Sequence, residues 1–218
     1  MTLFGIVLKP RLILLFILCI AWVYFFYLMI LITLQYIPIQ FDVAFLQIKQ
    51  NEIQHHHYQI AFFTHVYTSI FLMFFGALQF SNYIQKKHIK LHRISGRVYV
   101  GILLLFSGHS GLVMSYYANG GMFAQVSFLL LSTFWILFTF LSLYFILKKE
   151  IIQHQKFAIR SFALTLSAIS LRLFKYLLVF FFEPLPMDAY RIAAWSGWTF
   201  NLLVAELIIY YKFSRISK

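Results

Sequence analysis

Met122-Phe-Ala-Gln-Val-Ser-Phe-Leu-Leu-Leu-Ser-Thr-Phe-Trp-Ile-Leu-Phe-Thr-Phe-Leu-Ser-Leu-Tyr-Phe-Ile-Leu147 runs without a charged side chain until Lys148 and Lys149 close it. At about 1.5 Å per residue, a helix of this length exceeds the roughly 30 Å of hydrocarbon in a bilayer. Lipid offers backbone groups no water to bond, so such a segment crosses as a helix. Five more stretches share this character, near Leu12–Leu34, Ile60–Asn82, Ser95–Tyr117, Phe157–Phe182 and Ile192–Tyr211. The sequence therefore predicts an all-α, polytopic transmembrane helical bundle of six spans, forming a single domain over residues 1–218. No span is interrupted by proline, so unbroken helices are expected.

Composition agrees. The chain is 62% hydrophobic and only 11% charged, with mean hydropathy +0.82, whereas a soluble chain is about one quarter charged. The net charge of +12 raises the question of nucleic acid, but its placement answers it. Lys9, Arg11, Lys86, Lys87, Lys90, Arg93, Arg97, Lys148, Lys149, Lys156, Arg160, Lys212, Arg215 and Lys218 all fall on one side of an alternating bundle. The positive-inside rule makes that side cytoplasmic, with both termini on it. Lys49 and Arg191 alone fall outside the spans on the other side. Basicity here encodes orientation, and no nucleic-acid partner is expected. The first span is too long for a signal-peptide core and lacks a small-residue cleavage site, so it reads as a mature helix. Cys19, the single cysteine, excludes an internal disulfide and a thiolate metal cluster.

The longest connection, Gln35 to about Gln59, repeats Phe41, Ala44, Phe45 and Ile48 at helical spacing. A surface amphipathic helix and a partly ordered loop are equally compatible with it. His55-His56-His57 closes this loop and reads as a solvated collar, since neighbouring residues do not converge on one ion. Two basic loops repeat a pattern, Lys86-Lys87-x4-His92 followed by Arg97, and Lys148-Lys149-x4-His154 followed by Arg160.

Ionisable residues within hydrocarbon are costly and mark sites. Here they are His65, His109, Arg172, Lys175 and Glu206. His65 and His109 lie at similar depth on consecutive helices, and His92 and His154 lie level at the cytoplasmic face. Histidines on different helices at one depth are what a b-type haem needs as axial ligands. Gly101, Ser107, Gly108 and Gly111 around His109 open a slot or pack helices closely, and both readings stand. Arg172 is placed to meet a propionate, a quinone carbonyl, an anionic substrate or the external Glu183 and Asp188. Arg160 and Glu206 are level and are expected to pair, and Tyr190, Trp195 and Trp198 fit an aromatic belt. Dinucleotide, phosphate-loop, metalloprotease and serine-nucleophile motifs are absent.

The segment His92-Arg93-x-x-Gly96-Arg97-x-Tyr99 carries a family likeness. It comes with His65, Trp135, His154, Arg160-Ser161, Leu171-Arg172-Leu173, Trp195, Trp198, Asn201 and Glu206. Over residues 60–210 the chain resembles domain-of-unknown-function family 2306, bacterial integral membrane proteins, which implies a multi-pass place in the inner (cytoplasmic) membrane. More distantly it resembles the cytochrome b561 and ferric-reductase-like group, from which it departs in having no histidine in the fourth span. These observations lead to an expected membrane electron-transfer protein or reductase binding haem b. Its iron would be held by His65 with His109 and by His92 with His154, and Arg172 would lie at the cofactor. A quinol or redox partner protein would donate, and an external ferric complex would accept. The alternatives are a carrier of a small anionic solute and a membrane assembly subunit without catalysis.

Overall fold

The computed structural model describes residues 2–3, 6–7 and 10–214. Lys9, Arg215 and Lys218, counted above toward the basic side, lie outside the described residues. The chain forms two compact units, residues 1–40 and 41–218. In the first, Thr2–Leu3 (β1) and Ile6–Val7 (β2) pair antiparallel ahead of helix α1, Pro10–Leu34. Phe16–Leu34 is long and apolar enough to cross a membrane.

The second unit is the helical bundle. Its elements are α2 His56–Gln79, α3 Asn82–Lys87, α4 Ile89–Ile102, a π-helical segment Leu103–Ser107, α5 Gly108–Tyr116, α6 Met122–Leu147, α7 Ile151–Thr165, α8 Ser167–Phe182 and α9 Pro186–Phe213. His56–Gln79, Ile89–Tyr116, Met122–Leu147 and Pro186–Phe213 each meet the length and hydropathy of a span. The α7–α8 pair, bent by 43°, meets them only jointly, which gives five or six candidate spans among the described residues. The chain is thus a multi-pass, all-α membrane protein. The basic turns 80–88 and 148–150 and the end of α9 mark one end of the bundle, called here the basic end. The far end is tied together by the Lys49 bond to the Tyr117 carbonyl and the Arg191 Nε bond to the Gly120 carbonyl, the latter 2.9 Å.

One span is broken without proline and another carries a π segment, contrary to the expectation of unbroken helices. Asn201 of α9 donates to the Ala163 carbonyl (3.0 Å), the acceptor a continuous helix would offer to the Ser167 N–H. Ser170 Oγ donates to the Asn201 carbonyl oxygen (2.8 Å), so one amide holds both sides of the break at Leu166. A side chain inserted into the backbone ladder is a recognised cause of a kink. In the third span the π segment loosens the ladder instead. Its last carbonyl, Ser107, turns to accept from His65 Nδ1 (3.1 Å) and Ser110 Oγ (3.0 Å). Such π-bulges recur at functional positions.

Helix starts also differ from the hydropathy reading. α4 begins at Ile89 and α7 at Ile151, so His92 and His154 sit inside first turns rather than in loops. The loop before α2 holds two 3-10 turns, Ala44–Ile48 and Glu52–Gln54, in place of an amphipathic helix. Its anchors are Leu46, Lys49 and Ile53, all buried, whereas Phe41 and Ile48 stay exposed. Lys49 Nζ meets Glu52 Oε1 at 2.8 Å. Burial works to raise the Glu52 carboxyl, but the Lys49 hydrogen bond and charge outweigh it and hold its pKa below the ordinary carboxylate value. His57 Nε2 bonds the Tyr117 hydroxyl, so the triple histidine is partly tied to the bundle.

The bundle core is aromatic and aliphatic, built on Leu72, Tyr99, Leu103, Trp135, Leu164 and Trp198. Trp198 therefore leaves the expected interfacial belt. It is 6% exposed and donates Nε1–H to Ser127 Oγ at 2.9 Å. Arg160 and Glu206 form the expected pair, through both Nε and Nη2.

Candidate functional site

Both basic hairpins place a histidine in the same way. His92 is the fourth residue of α4 and His154 the fourth of α7. Their amides bond the carbonyls four residues earlier, His88 and Glu150, at 3.0 Å in each case. In each hairpin a polar side chain of the preceding span donates to the histidine carbonyl: Gln79 of α2 to His92 (3.2 Å) and Ser142 of α6 to His154 (3.4 Å). Gly96 makes room for this, because a Cβ there would stand 2.9 Å from the Gln79 amide oxygen. The two loops thus repeat in structure as well as in sequence.

His92 and His154 lie within electrostatic reach of each other, and Arg93 acts on His92 as well. The His154 ring is fixed from one side: Nδ1 lies 2.9 Å from the Ser142 carbonyl and 3.0 Å from its hydroxyl. A carbonyl only accepts, so Nδ1 carries the proton and Nε2 the lone pair. His92 presents the complementary oddity, for its Nδ1 is buried and has no hydrogen-bond partner. Buried nitrogens are nearly always satisfied, and this orphan lies within electrostatic reach of a second, oriented imidazole.

His65 is built on the same plan nearer the far end. Its Nδ1 donates to the Ser107 carbonyl and lies 3.3 Å from Ser110 Oγ, so its lone pair also sits on Nε2. Its ring meets Trp135 edge-on at 6.3 Å between centroids, and Arg172 lies within electrostatic reach. The expected partnership with His109 fails. His65 contacts the face of α5 bearing Ser107, Ser110 and Gly111. His109 points about 150° away around that helix and is exposed. Where a second axial ligand would be sought on the fourth span stands Trp135. Arg172 is likewise exposed on α8, donating Nη1 to the Ala168 carbonyl at 2.7 Å. It lies about 27 Å of helix beyond His154, so it belongs with His65 and not with the His92–His154 pair.

Between the two histidine centres runs a buried hydroxyl network that the hydropathy reading missed. Tyr99 OH meets Ser161 Oγ (2.9 Å) and Thr165 Oγ1 (2.7 Å). Thr139 Oγ1 meets Ser161 Oγ at 2.6 Å, and Trp135 Nε1 donates to Thr165 Oγ1 at 3.0 Å. Tyr99 closes the His-Arg-x-x-Gly-Arg-x-Tyr segment, so that motif supplies the His92 site, the Gln79 recess and the network's centre. A signal existed in sequence: Ser132, Trp135, Thr139 and Ser142 follow one another at steps of three, four and three, one face of α6. Among the described residues, no group of three or more His, Cys, Asp or Glu is placed to hold a metal ion.

The family model described as predicted membrane protein (DUF2306) matches residues 62–209, well over half of the chain, and the chain belongs to that family. The matched range holds His65, His92, His154 and Arg172 and leaves out α1 and the Lys49 loop. No curated protein and no solved structure matches.

Proposed function

We propose that this member of the family is a membrane electron-transfer protein that binds one b-type haem between His92 and His154 at the basic end of the bundle. The observation that carries the reading is the pair itself: His154 is held by Ser142 with its lone pair on Nε2, within electrostatic reach of a His92 whose Nδ1 is buried without a partner. A ligating histidine typically donates its other ring N–H to a carbonyl, which orients the ring and raises its basicity, and Ser142 does this for His154. Gln79 and Ser95 fix the backbone of His92, Gln79 Nε2 lying 2.6 Å from Ser95 Oγ. Arg93 adds a cation suited to a propionate. When bound, the haem supplies one-electron chemistry, and the chain supplies ligands, orientation and electrostatics.

The reading is narrower than a two-haem wire. His65 faces Trp135, and His109 faces outward, so a second bis-histidine site does not fit. About 35 Å of helix separate His92 from the far end of its span. Exchange is therefore proposed with a quinol or a soluble partner at the basic side, which the positive-inside rule assigns to the cytoplasm of the inner membrane. The likeness to the cytochrome b561 group is part of this proposal.

The test is the visible spectrum of protein expressed with adequate haem. A Soret band lost or shifted in His92→Ala and His154→Ala, and kept in His109→Ala, is the expected result. Absence of a Soret band in the wild type overturns the proposal. The break at Leu166 favours a second reading, carriage of a small anionic solute, because transporters bind at discontinuous helices. Solute uptake by haem-free proteoliposomes would support that reading instead.

A further inference from the structure

We propose that the far end of the bundle carries a site for a borderline divalent cation, Cu2+ above all, held by His55, His57 and Tyr117. His55 precedes α2 in extended backbone (φ −85°, ψ 118°), and His57 is the second residue of that helix. The bend between them sets their rings side by side, stacked with centroids 5.5 Å apart. His56 is engaged elsewhere, its Nδ1 lying 3.4 Å from Gln59 Oε1. Tyr117, which caps the end of α5, brings its ring to 5.6 Å from that of His57 and 6.3 Å from that of His55. His57 Nε2 and the Tyr117 hydroxyl already share a hydrogen bond. Adjacent histidines diverge here, but the two that are one residue apart meet at a phenol.

These spacings suit one ion. Metal–nitrogen bonds of about 2.0–2.1 Å put an imidazole centre about 3 Å from the ion, so two at a tetrahedral angle stand about 5 Å apart. A phenolate ring, farther from its donor atom, stands about 6 Å from each. Both imidazoles are exposed and Tyr117 is half-buried, so His55 can turn a ring nitrogen toward the His57–Tyr117 bond and water can complete the coordination. Binding replaces the shared proton. The ion takes lone pairs from His57 Nε2, a His55 nitrogen and the phenolate oxygen, and the Tyr117 proton leaves to solvent. Imidazole suits copper and zinc, and Cu2+ binds most tightly of the divalent series. The frame around the phenol is fixed: buried Tyr58 meets its ring edge-on at 5.2 Å, and Lys49 holds its carbonyl. Glu52 lies within electrostatic reach of His55 but is bonded to Lys49, whose charge it offsets. The donors are therefore two histidines and a tyrosine, a set distinct from the groups of three His, Cys, Asp or Glu that are absent among the described residues.

The experiment is a Cu2+ titration of the purified, untagged full chain, followed by visible absorption and electron paramagnetic resonance. A saturating equivalent should develop a phenolate-to-copper charge-transfer band, and pulsed resonance of that species should show two imidazoles. Tyr117→Phe, which keeps the ring packing, should remove the band. His55→Ala and His57→Ala should each weaken binding by about tenfold or more, and His56→Ala should leave it unchanged. No band in the wild type, or a band that survives in Tyr117→Phe, overturns the proposal. Weakening by His56→Ala equal to that by His57→Ala overturns it too and points to adventitious binding along the histidine tract. If the alanine variants do not fold, the wild-type resonance decides: fewer than two imidazoles on the ion that carries the band refutes the site. Loss of the band in Tyr117→Phe tells this centre from copper bound at the His92–His154 pair, so the outcomes do not depend on haem.

Discussion

Tyr99→Phe and Thr165→Val remove parts of the same network, yet the structure assigns them different costs. Tyr99→Phe deletes one oxygen and two hydrogen bonds, to Ser161 and Thr165. Interhelical hydrogen bonds within membranes average about 0.6 kcal/mol each, so the loss is about 1.2 kcal/mol. No further penalty follows, because Ser161 keeps Thr139 and Thr165 keeps Trp135. Thr165→Val is nearly isosteric but removes the acceptor of both Tyr99 OH and Trp135 Nε1. Trp135 is 7% exposed, and a stranded buried donor costs a further ~1–3 kcal/mol. Reversible unfolding in mixed micelles, followed by circular dichroism, should therefore place Thr165→Val about 1–3 kcal/mol below Tyr99→Phe. In a double-mutant cycle the pair should couple by about 0.6 kcal/mol. Equal destabilisation by the two variants, or no coupling, would refute a network in which Thr165 is the shared acceptor.

Gly197→Ala should destabilise by about 1–3 kcal/mol in the same assay, since its Cβ would meet Leu171 backbone atoms at 3.1 Å. Gly101→Ala, with nothing within 4 Å of the added methyl, should be neutral or stabilising. The Lys49–Glu52 anchor should weaken in acid. Glu52 has a depressed pKa, so its contribution is present above its unfolded value and is lost as pH falls through the lower folded one. Hydrogen exchange in residues 41–55 should rise on acidification below the ordinary carboxylate range, and in Lys49→Met this rise should be largely gone. Nitrogen-15 NMR of histidine-labelled protein should show His65 and His154 protonated at Nδ1 and bare at Nε2. A proton found on Nε2 of either neutral ring would break the orientation assigned through Ser107 or Ser142.

The sequence by itself determined the membrane class, the multi-pass helical architecture and the segregation of basic residues of the bundle to one end. Transfer into lipid adds up residue by residue along a span, so a linear reading captures it. It also paired Arg160 with Glu206 and set His92 level with His154, because depth in a helix follows directly from residue count. Which way His109 faces was not legible, since the π segment Leu103–Ser107 changes the phase of the helix before it. Nor was the break at Leu166, which contains neither proline nor glycine and arises from Asn201, far along the chain. The tautomers of His65 and His154 and the sharing of Thr165 likewise depend on carbonyls and hydroxyls of neighbouring helices. Such contacts are decided by tertiary packing: a backbone group released from its own helix takes whichever partner the adjoining helix presents.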